Sequence, residues 1–385
     1  MDKNIYFDHN ATTPIDESLY PLVQEWVHEW GNPSSIYSLS RNAKKILRES
    51  RISAAAKLGA HPLEIIFTSG GSESNNMAFK GLLNYFKKLN KNTLIVSSVE
   101  HPSVLKTAKY LSTLGLNVFQ IPVSRQGDLD LDFLKDHLDK HKVGLVSVMA
   151  ANNETGVIHP ISEISEMSHY FGALVHTDAV QLMGKAIFDF KSLGVDMASF
   201  SAHKFYSLKG AGFLYCRKGI PLESLIHGGG QERSRRAGTE NTLAIASMKQ
   251  MIESLTRIET QLNDIKKVRD HFEAEVKKHI SKVEVTAQKP NRLVNTSHLI
   301  IEGTDGENLL MNLDLKGFSV STGAACSAGS PEPSPALLAM GFTKAEAQSS
   351  LRVSFGQSNT IEQVDLFIST LKEVVPYLRE IKNQI

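Results

Sequence analysis

Lys204 lies in Ser201-Ala202-His203-Lys204, just past the apolar run Met197–Ser201. An amine there can face the crevice at the carboxyl end of a strand, and with a lowered pKa it can form a Schiff base with a carbonyl compound. Asp178 follows a second run, Ala173–Thr177. A carboxylate at that point can keep a ring nitrogen protonated, so that the ring draws electrons from a substrate carbanion. Gln181 and Asn152, also near strand ends, could donate to a phenolic oxygen, and His101, beside Glu100, offers a flat ring for stacking. Each residue also has an ordinary reading, as a solvated lysine or as a polar residue in a turn. What joins them is that separate strand ends bring complementary groups to one place.

A second feature is Thr68-Ser69-Gly70-Gly71-Ser72-Glu73-Ser74-Asn75, between a strand-like run and the helix-like Asn76–Lys88. Gly71 permits close backbone approach, Ser72 adds a hydroxyl, and the free N–H groups of a helix start can hold a phosphate. A glycine turn capped by serine is the alternative. Neither a Walker lysine nor a dinucleotide GxGxxG accompanies it.

The chain has two cysteines, too few for a disulfide framework. Cys326 lies in Ser321-Thr322-Gly323-Ala324-Ala325-Cys326-Ser327-Ala328-Gly329-Ser330, a small, polar stretch that reads as an exposed loop. Its thiolate could be a nucleophile if accessible, and a structural role stays open on the pattern alone. Cys216, in Phe213-Leu214-Tyr215-Cys216-Arg217, reads as a structural strand residue. The 14 histidines make no zinc spacing with either cysteine, so no metal site is expected.

The elements that must position these groups follow an α/β pattern. Strands are expected at Ile65–Thr68, Leu94–Ser97, Asn117–Ile121, Leu145–Met149, Ala173–Thr177 and Met197–Ser201, with Gly212–Cys216 as an antiparallel edge strand. Helices are expected over Ser162–Phe171 and much of Ile245–His279. A smaller α+β unit then uses strands near Lys282–Thr286, Asn295–Ile301, Ser319–Ser321 and Ser350–Phe355, with helices at Glu307–Asp314 and Thr360–Ile385. The expected division is a large domain over residues 16–255 and a small one over 1–15 and 256–385. With 385 residues and a net charge of +1, the chain can bury a substantial core, and neither a polyanion-binding nor a membrane-surface role is indicated. No signal segment or run long enough for a membrane span is read, which makes the cytoplasm the expected location.

Taken in order, the motifs resemble the cysteine desulfurases, fold-type I enzymes dependent on pyridoxal 5'-phosphate. The resemblance runs from Tyr6-Phe7-Asp8-His9-Asn10-Ala11-Thr12-Thr13-Pro14 through Gly31-Asn32-Pro33-Ser34-Ser35, Glu100-His101-Pro102 and Asn152-Asn153-Glu154-Thr155-Gly156. It continues in His176-Thr177-Asp178-Ala179-Val180-Gln181, in Ser201-Ala202-His203-Lys204, and in Arg235-Arg236-Ala237-Gly238-Thr239-Glu240-Asn241, and ends in Leu351-Arg352-Val353-Ser354-Phe355-Gly356. It implies a mainly parallel seven-stranded sheet with a smaller α+β domain.

By the same resemblance, Lys204 is the Schiff-base lysine, Asp178 the pyridine-nitrogen partner and His101 the stacking histidine that also handles protons. Gln181 matches the phenolic-oxygen partner. Gly71, Ser72, Ser201 and His203 match the phosphate site, and Thr239 a threonine that reaches the phosphate of a neighbouring subunit. Asn152 lies beside cofactor and substrate, and with Arg352 it matches the groups that hold the substrate carboxylate; an arginine fork suits that task. Cys326 matches the persulfide-forming cysteine of the long-active-loop class. The implied reaction converts L-cysteine to L-alanine through a ketimine and passes the sulfur to an acceptor for iron–sulfur assembly or tRNA thiolation. The implied partners are a second copy of the chain and a scaffold or sulfur-carrier protein, with no direct nucleic-acid binding. A selenocysteine lyase, another lyase or aminotransferase, and a partner-dependent component with little autonomous activity are the alternatives.

Overall fold

The computed structural model describes residues 4–288, 291–322 and 333–384. Its strands are β1 (Ile5–Tyr6), β2 (Ile65–Thr68), β3 (Thr93–Ser97), β4 (Asn117–Ile121), β5 (Val143–Ser147), β6 (Leu174–Asp178), β7 (Met197–Ser201), β8 (Gly212–Cys216), β9 (Val283–Val285), β10 (Thr296–Ile301), β11 (Phe318–Ser319) and β12 (Ser350–Ser354). The seven strands β2 to β8 form one sheet in the order β2-β8-β7-β6-β5-β3-β4. From β7 through β6, β5 and β3 to β4 every pairing is parallel. The sheet is thus mainly parallel, as the resemblance implies.

Its strands read as nearly continuous apolar runs because both faces are covered. Alternate residues enter opposite cores: Ile65 and Phe67 of β2 and Phe213 and Tyr215 of β8 join one cluster, whereas Ile66, Leu214 and Cys216 join the other.

Several expectations need correction, among them the helix-like Asn76–Lys88, which is two helices, Gly71–Lys80 and Leu83–Lys88. Gly212–Cys216 is antiparallel but not an edge strand, since β8 pairs with both β2 and β7 and is buried along its whole length. The strand expected at Leu145–Met149 begins earlier, at Val143; the run is apolar throughout, and pairing with β3 and β6 sets the register. The single helix expected within Ile245–His279 is two helices, Thr242–Ser254 and Ile258–His279, joined by a turn of 3₁₀ helix. The break has a packing cause: Ile245, Met248, Met251 and Ile252 pack into the large-sheet core, while Ile265, Val268, Phe272 and Val276 pack into a second core.

That second core lies under a three-stranded antiparallel sheet, β12-β10-β9. Phe7, Phe318, Phe355 and Phe367 meet there, and β1 pairs in parallel with β11. The N-terminal strand therefore packs with the chain's later elements, and the turn after it, residues 8–13, is carried back toward the large sheet, where Thr13 N–H bonds the carbonyl of His203. No helix among the described residues is long and apolar enough to cross a membrane.

Candidate active site

The carboxyl ends of β6, β7, β3 and β5 place the expected residues. Asp178 is the last residue of β6, and Lys204 closes the short 3₁₀ turn after β7. Asp178 Oδ2 accepts a hydrogen bond from Asn75 Nδ2 at 2.7 Å, and its Oδ1 accepts from Val180 N at 3.0 Å. The same Asn75 amide nitrogen bonds Ser103 Oγ at 2.9 Å.

Ser103 leads to His101, which caps the helix Pro102–Thr113: its Nδ1 accepts from Ser103 N at 3.1 Å, with Pro102 in the first helical position. An accepting Nδ1 leaves the ring proton on Nε2, the neutral form, and burial lowers the pKa of the ring in the same sense. His101, Ser103, Asn75 and Asp178 are therefore one connected polar set.

Lys204 Nζ donates to the carbonyls of Asn10 at 2.7 Å and Ala11 at 2.6 Å. Burial, helped by the nearby Arg352 guanidinium, lowers its pKa to about 8. At neutral pH an appreciable fraction of this amine is therefore the free base, as imine formation and proton abstraction require.

The glycine turn lies beside the end of β7, the strand that leads to this lysine. Gly70 has φ +152°, a backbone region that L side chains rarely adopt, and Gly71 starts the helix Gly71–Lys80. A Cβ on Gly71 would lie 2.6 Å from Val180 Cγ2, and one on Gly70 would lie 3.4 Å from Ser201 Oγ. The turn is thus wedged between the segment after Asp178 and the end of β7. At its mouth Glu73 is paired with Arg236 Nε at 2.8 Å, so its charge is met before an anion arrives. Ser72 is exposed at the helix start and Ser201 is buried beside the turn. His203 bonds Thr12 Oγ1 at 3.0 Å, and burial, with Lys204 nearby, lowers its pKa to about 4.

These residues fit pyridoxal phosphate. An amine, a carboxylate, an aromatic ring and a helix start with glycines approach one cleft, and each supplies a group that this cofactor's aldehyde, ring nitrogen, ring face or phosphate would meet.

Asn152 and Gln181 have their amides committed within the protein. Asn152 Oδ1 accepts from the N–H groups of Glu154 and Thr155, both at 2.9 Å, while its Nδ2 donates to the carbonyl of Val99 at 3.2 Å. Gln181 Nε2 donates to the carbonyl of Asn10 at 3.0 Å. Arg352 on β12 donates from Nη2 to Asp8 Oδ1 at 2.7 Å and from Nη1 to the carbonyl of Asn153 at 3.2 Å, and its buried Nε has no partner among the described residues. A carboxylate could take that free N–H and compete with Asp8 for the fork. Thr239 is exposed on the single chain.

Cys326 lies outside the described residues. The residues flanking that undescribed span are ordered by the site itself. Ser321 exchanges both backbone hydrogen bonds with Arg352, at 3.2 and 2.7 Å. Ser334 donates to Glu154 Oε2 at 2.5 Å and caps the helix Pro335–Ala339. Cys216 is 3% exposed in the core, where burial pushes its thiol up to about 12, so it offers no reactive thiolate. Among the described residues no group of three or more His, Cys, Asp or Glu side chains could hold a metal ion.

Several residues were not singled out by the sequence reading: Asn75, Ser103, Asp8, Asn10 and Lys185. Asn75 stands one helical turn past Gly71, a spacing that places it on the same helix face. Asn10 had no comparable local signal, because its partners come from distant parts of the chain.

The class-V aminotransferase family matches residues 5–367. A cysteine desulfurase IscS of Dictyoglomus turgidum is 41% identical over 383 residues, covering 99% of this chain and 97% of the relative. The IscS of Methanosarcina thermophila is 40% identical, covering 98% of this chain and 93% of the relative. Among solved structures, a NifS-like protein superposes with a TM-score of 0.91 at 35% identity, covering 97% of this chain and 100% of that one. A NifS-like protein from Rickettsia africae gives a TM-score of 0.89 at 33% identity, covering 97% of this chain and 99% of that one. The cleft at these strand ends, and the match along nearly the whole chain, lead to one assignment: the protein belongs to the class-V aminotransferase family and, within it, to the cysteine desulfurases, fold-type I enzymes dependent on pyridoxal phosphate.

Proposed function

We propose that this chain takes sulfur from L-cysteine, leaves L-alanine, and holds the sulfur as a persulfide on Cys326 before passing it to an acceptor. The observation that carries this reading is the anchoring of both flanks of the Cys326 span on the candidate site, Ser321 against Arg352 and Ser334 against Glu154. The residues on either side of the span that contains Cys326 thus stand at the turn and strand that carry Glu154 and Arg352, the latter being the group best suited to hold the substrate carboxylate.

In this reading Arg352 turns from Asp8 toward the α-carboxylate, and Asn152 lines the same side. Bound pyridoxal phosphate supplies the electron sink that makes the substrate Cα proton acidic and the Cβ–S bond labile. Asp178 would hold the proton on the ring nitrogen, His101 would stack on the ring, and the Gly71 turn with Ser72, Ser201 and His203 would receive the phosphate. Lys204 Nζ takes the Cα proton, which its lowered pKa allows near neutral pH. The Cys326 thiolate forms an S–S bond to the substrate sulfur as the Cβ–S bond breaks, and the carbon fragment gains a proton and leaves as alanine. Thiol plus cysteine then gives persulfide plus alanine, with no outside oxidant. The chain is taken to act in the cytoplasm as a homodimer, with Thr239 reaching the partner's phosphate site and an iron–sulfur scaffold or sulfur carrier as the acceptor.

The test is to supply the purified protein with pyridoxal phosphate and L-cysteine, quantify alanine, and map persulfide by mass spectrometry. Alanine with persulfide on Cys326 is expected. Cys326→Ala should keep cofactor loading while losing both products, and Lys204→Ala should lose the borohydride-reducible adduct on residue 204. Persulfide formed at the native rate by the Cys326 variant would show that another group carries the sulfur.

A further inference from the structure

Lys185 is a second lysine in this cleft, 5% exposed, which the proposed chemistry does not use. Its Nζ donates to the His9 carbonyl at 3.1 Å, to Asn10 Oδ1 at 2.9 Å and to Gln181 Oε1 at 2.5 Å. All three partners are acceptors, and none can act as a donor through the atom concerned. A carboxamide that gives its oxygen to an amine must turn its nitrogen the other way. Gln181 Nε2 does so, donating to the Asn10 carbonyl, the oxygen that also accepts from Lys204 Nζ. Asn10 is the junction: Lys185 and Asn295 share its side-chain oxygen, while its Nδ2 bonds the Asn153 carbonyl and Thr296 Oγ1. Lys185 at the oxygen and the Asn10 carbonyl at the nitrogen therefore set the orientation of one amide, and Lys185 also holds the turn on which the resting Lys204 amine lies.

We infer that Lys185 is a positioning residue that acts through Gln181, keeping an N–H donor rather than a carbonyl oxygen turned toward the place of the cofactor's phenolic oxygen. This inference rests on the cofactor assignment above. With Lys185 absent, the Gln181 oxygen loses its cationic partner, the bond from Nε2 to the Asn10 carbonyl alone holds the amide, and the donor is fixed less firmly. Burial and the nearby positive groups Lys204 and Arg352 lower the pKa of the Lys185 amine, against the opposite pull of Asp8, so a charge beside the cofactor is weakened while the donor function remains.

A donor to the phenolic oxygen competes for the electron pair that would otherwise hold the imine proton. Losing it should make that proton harder to remove. The experiment is a pH titration of the visible absorption of the protein loaded with pyridoxal phosphate, without substrate, for the native chain, Lys185→Met, Gln181→Met and the double variant. Lys185→Met should raise the midpoint by about half to one pH unit, the size expected for one hydrogen bond. Gln181→Met should raise it similarly, and the double variant should add nothing beyond Gln181→Met, because Lys185 works through that amide. If Lys185→Met does not fold, Lys185→Gln, which keeps an N–H for these oxygens, replaces it with a smaller upward shift. An unmoved midpoint, or a full additional shift in the double variant, overturns the inference while leaving the cofactor assignment standing. A native chain that forms no visible band with pyridoxal phosphate overturns both.

Discussion

At the scale of single residues, the site is governed by how far each charged group is withdrawn from water and what meets it there. Lys204 keeps its amine near neutrality in pK because it is largely buried and close to Arg352, while Asp8 and Asp178 limit the effect. The first consequence concerns cofactor loading. An amine adds to an aldehyde only as the free base, so the rate of loading apo-protein with pyridoxal phosphate should rise with pH and level off above about 8, whereas an ordinary lysine would keep gaining to beyond 10. Stopped-flow absorbance at a series of pH values checks this. A rate still climbing steeply above pH 10 would mean that the amine has water access not present in this structure. His101 illustrates the same withdrawal by different means: its cap to Ser103 N–H occupies Nδ1 and favours the neutral ring.

At the scale of elements, the segment leading to Thr239 is held in an unfavourable backbone. Glu232, Arg233 and Ser234 have φ of 47, 58 and 62°, three successive non-glycine residues in the left-handed region. The Glu232 carboxylate is what pins them. Its two oxygens receive Arg51 Nη1 and Nη2 at 2.8 and 2.5 Å, and Oε2 also accepts Phe67 N of β2 at 3.0 Å. Arg51→Met should therefore cost about 3–5 kcal/mol in urea unfolding, since a buried carboxylate loses its cation, while Arg51→Met combined with Glu232→Met should cost well below the sum of the two single changes. Additive losses would show that the pair does not act as a unit. This clamp was not legible in the sequence, because Arg51 and Glu232 are brought together only when the helix Arg41–Leu58 packs beside β2. Much else was legible. β2, β4, β7 and β8 were expected at their observed bounds, each an apolar or β-branched run ended by turn residues. The strand-end positions of Lys204, Asp178 and His101 were legible for the same reason, since each follows or closes such a run. The place of β8 inside the sheet and the polar junction at Asn10 depend on pairing between remote segments, which local pattern does not carry.

For the whole molecule, proton linkage pulls stability in two directions. His9, His176 and His298 are buried with pKa lowered to about 3, chiefly by burial. Below the ordinary histidine value the unfolded chain binds protons there that the folded chain refuses, so their contribution is lost as pH falls from about 6.5 toward 3. Two buried acids behave oppositely: burial raises Glu100 to about 8 and Glu154 to about 7. The folded chain keeps these protons after the unfolded chain has released them, so this stability is complete below about 4.5 and is lost as pH rises through 7 and 8. Glu154 is the informative one, because it joins the turn after β5 to Ser334 at the start of the helix Pro335–Ala339. Glu154→Gln keeps an oxygen for the Ser334 hydroxyl and removes the titration. The stability of the native chain relative to this variant should therefore fall by about 3 kcal/mol between pH 4.5 and 8, the free energy of a shift of that size, and should change little at higher pH. Urea midpoints for both proteins at pH 5, 6, 7 and 8 measure it. If the difference between them stays constant across that range, Glu154 is ionised throughout, and the Arg352 guanidinium, whose field favours the carboxylate, outweighs burial at this turn.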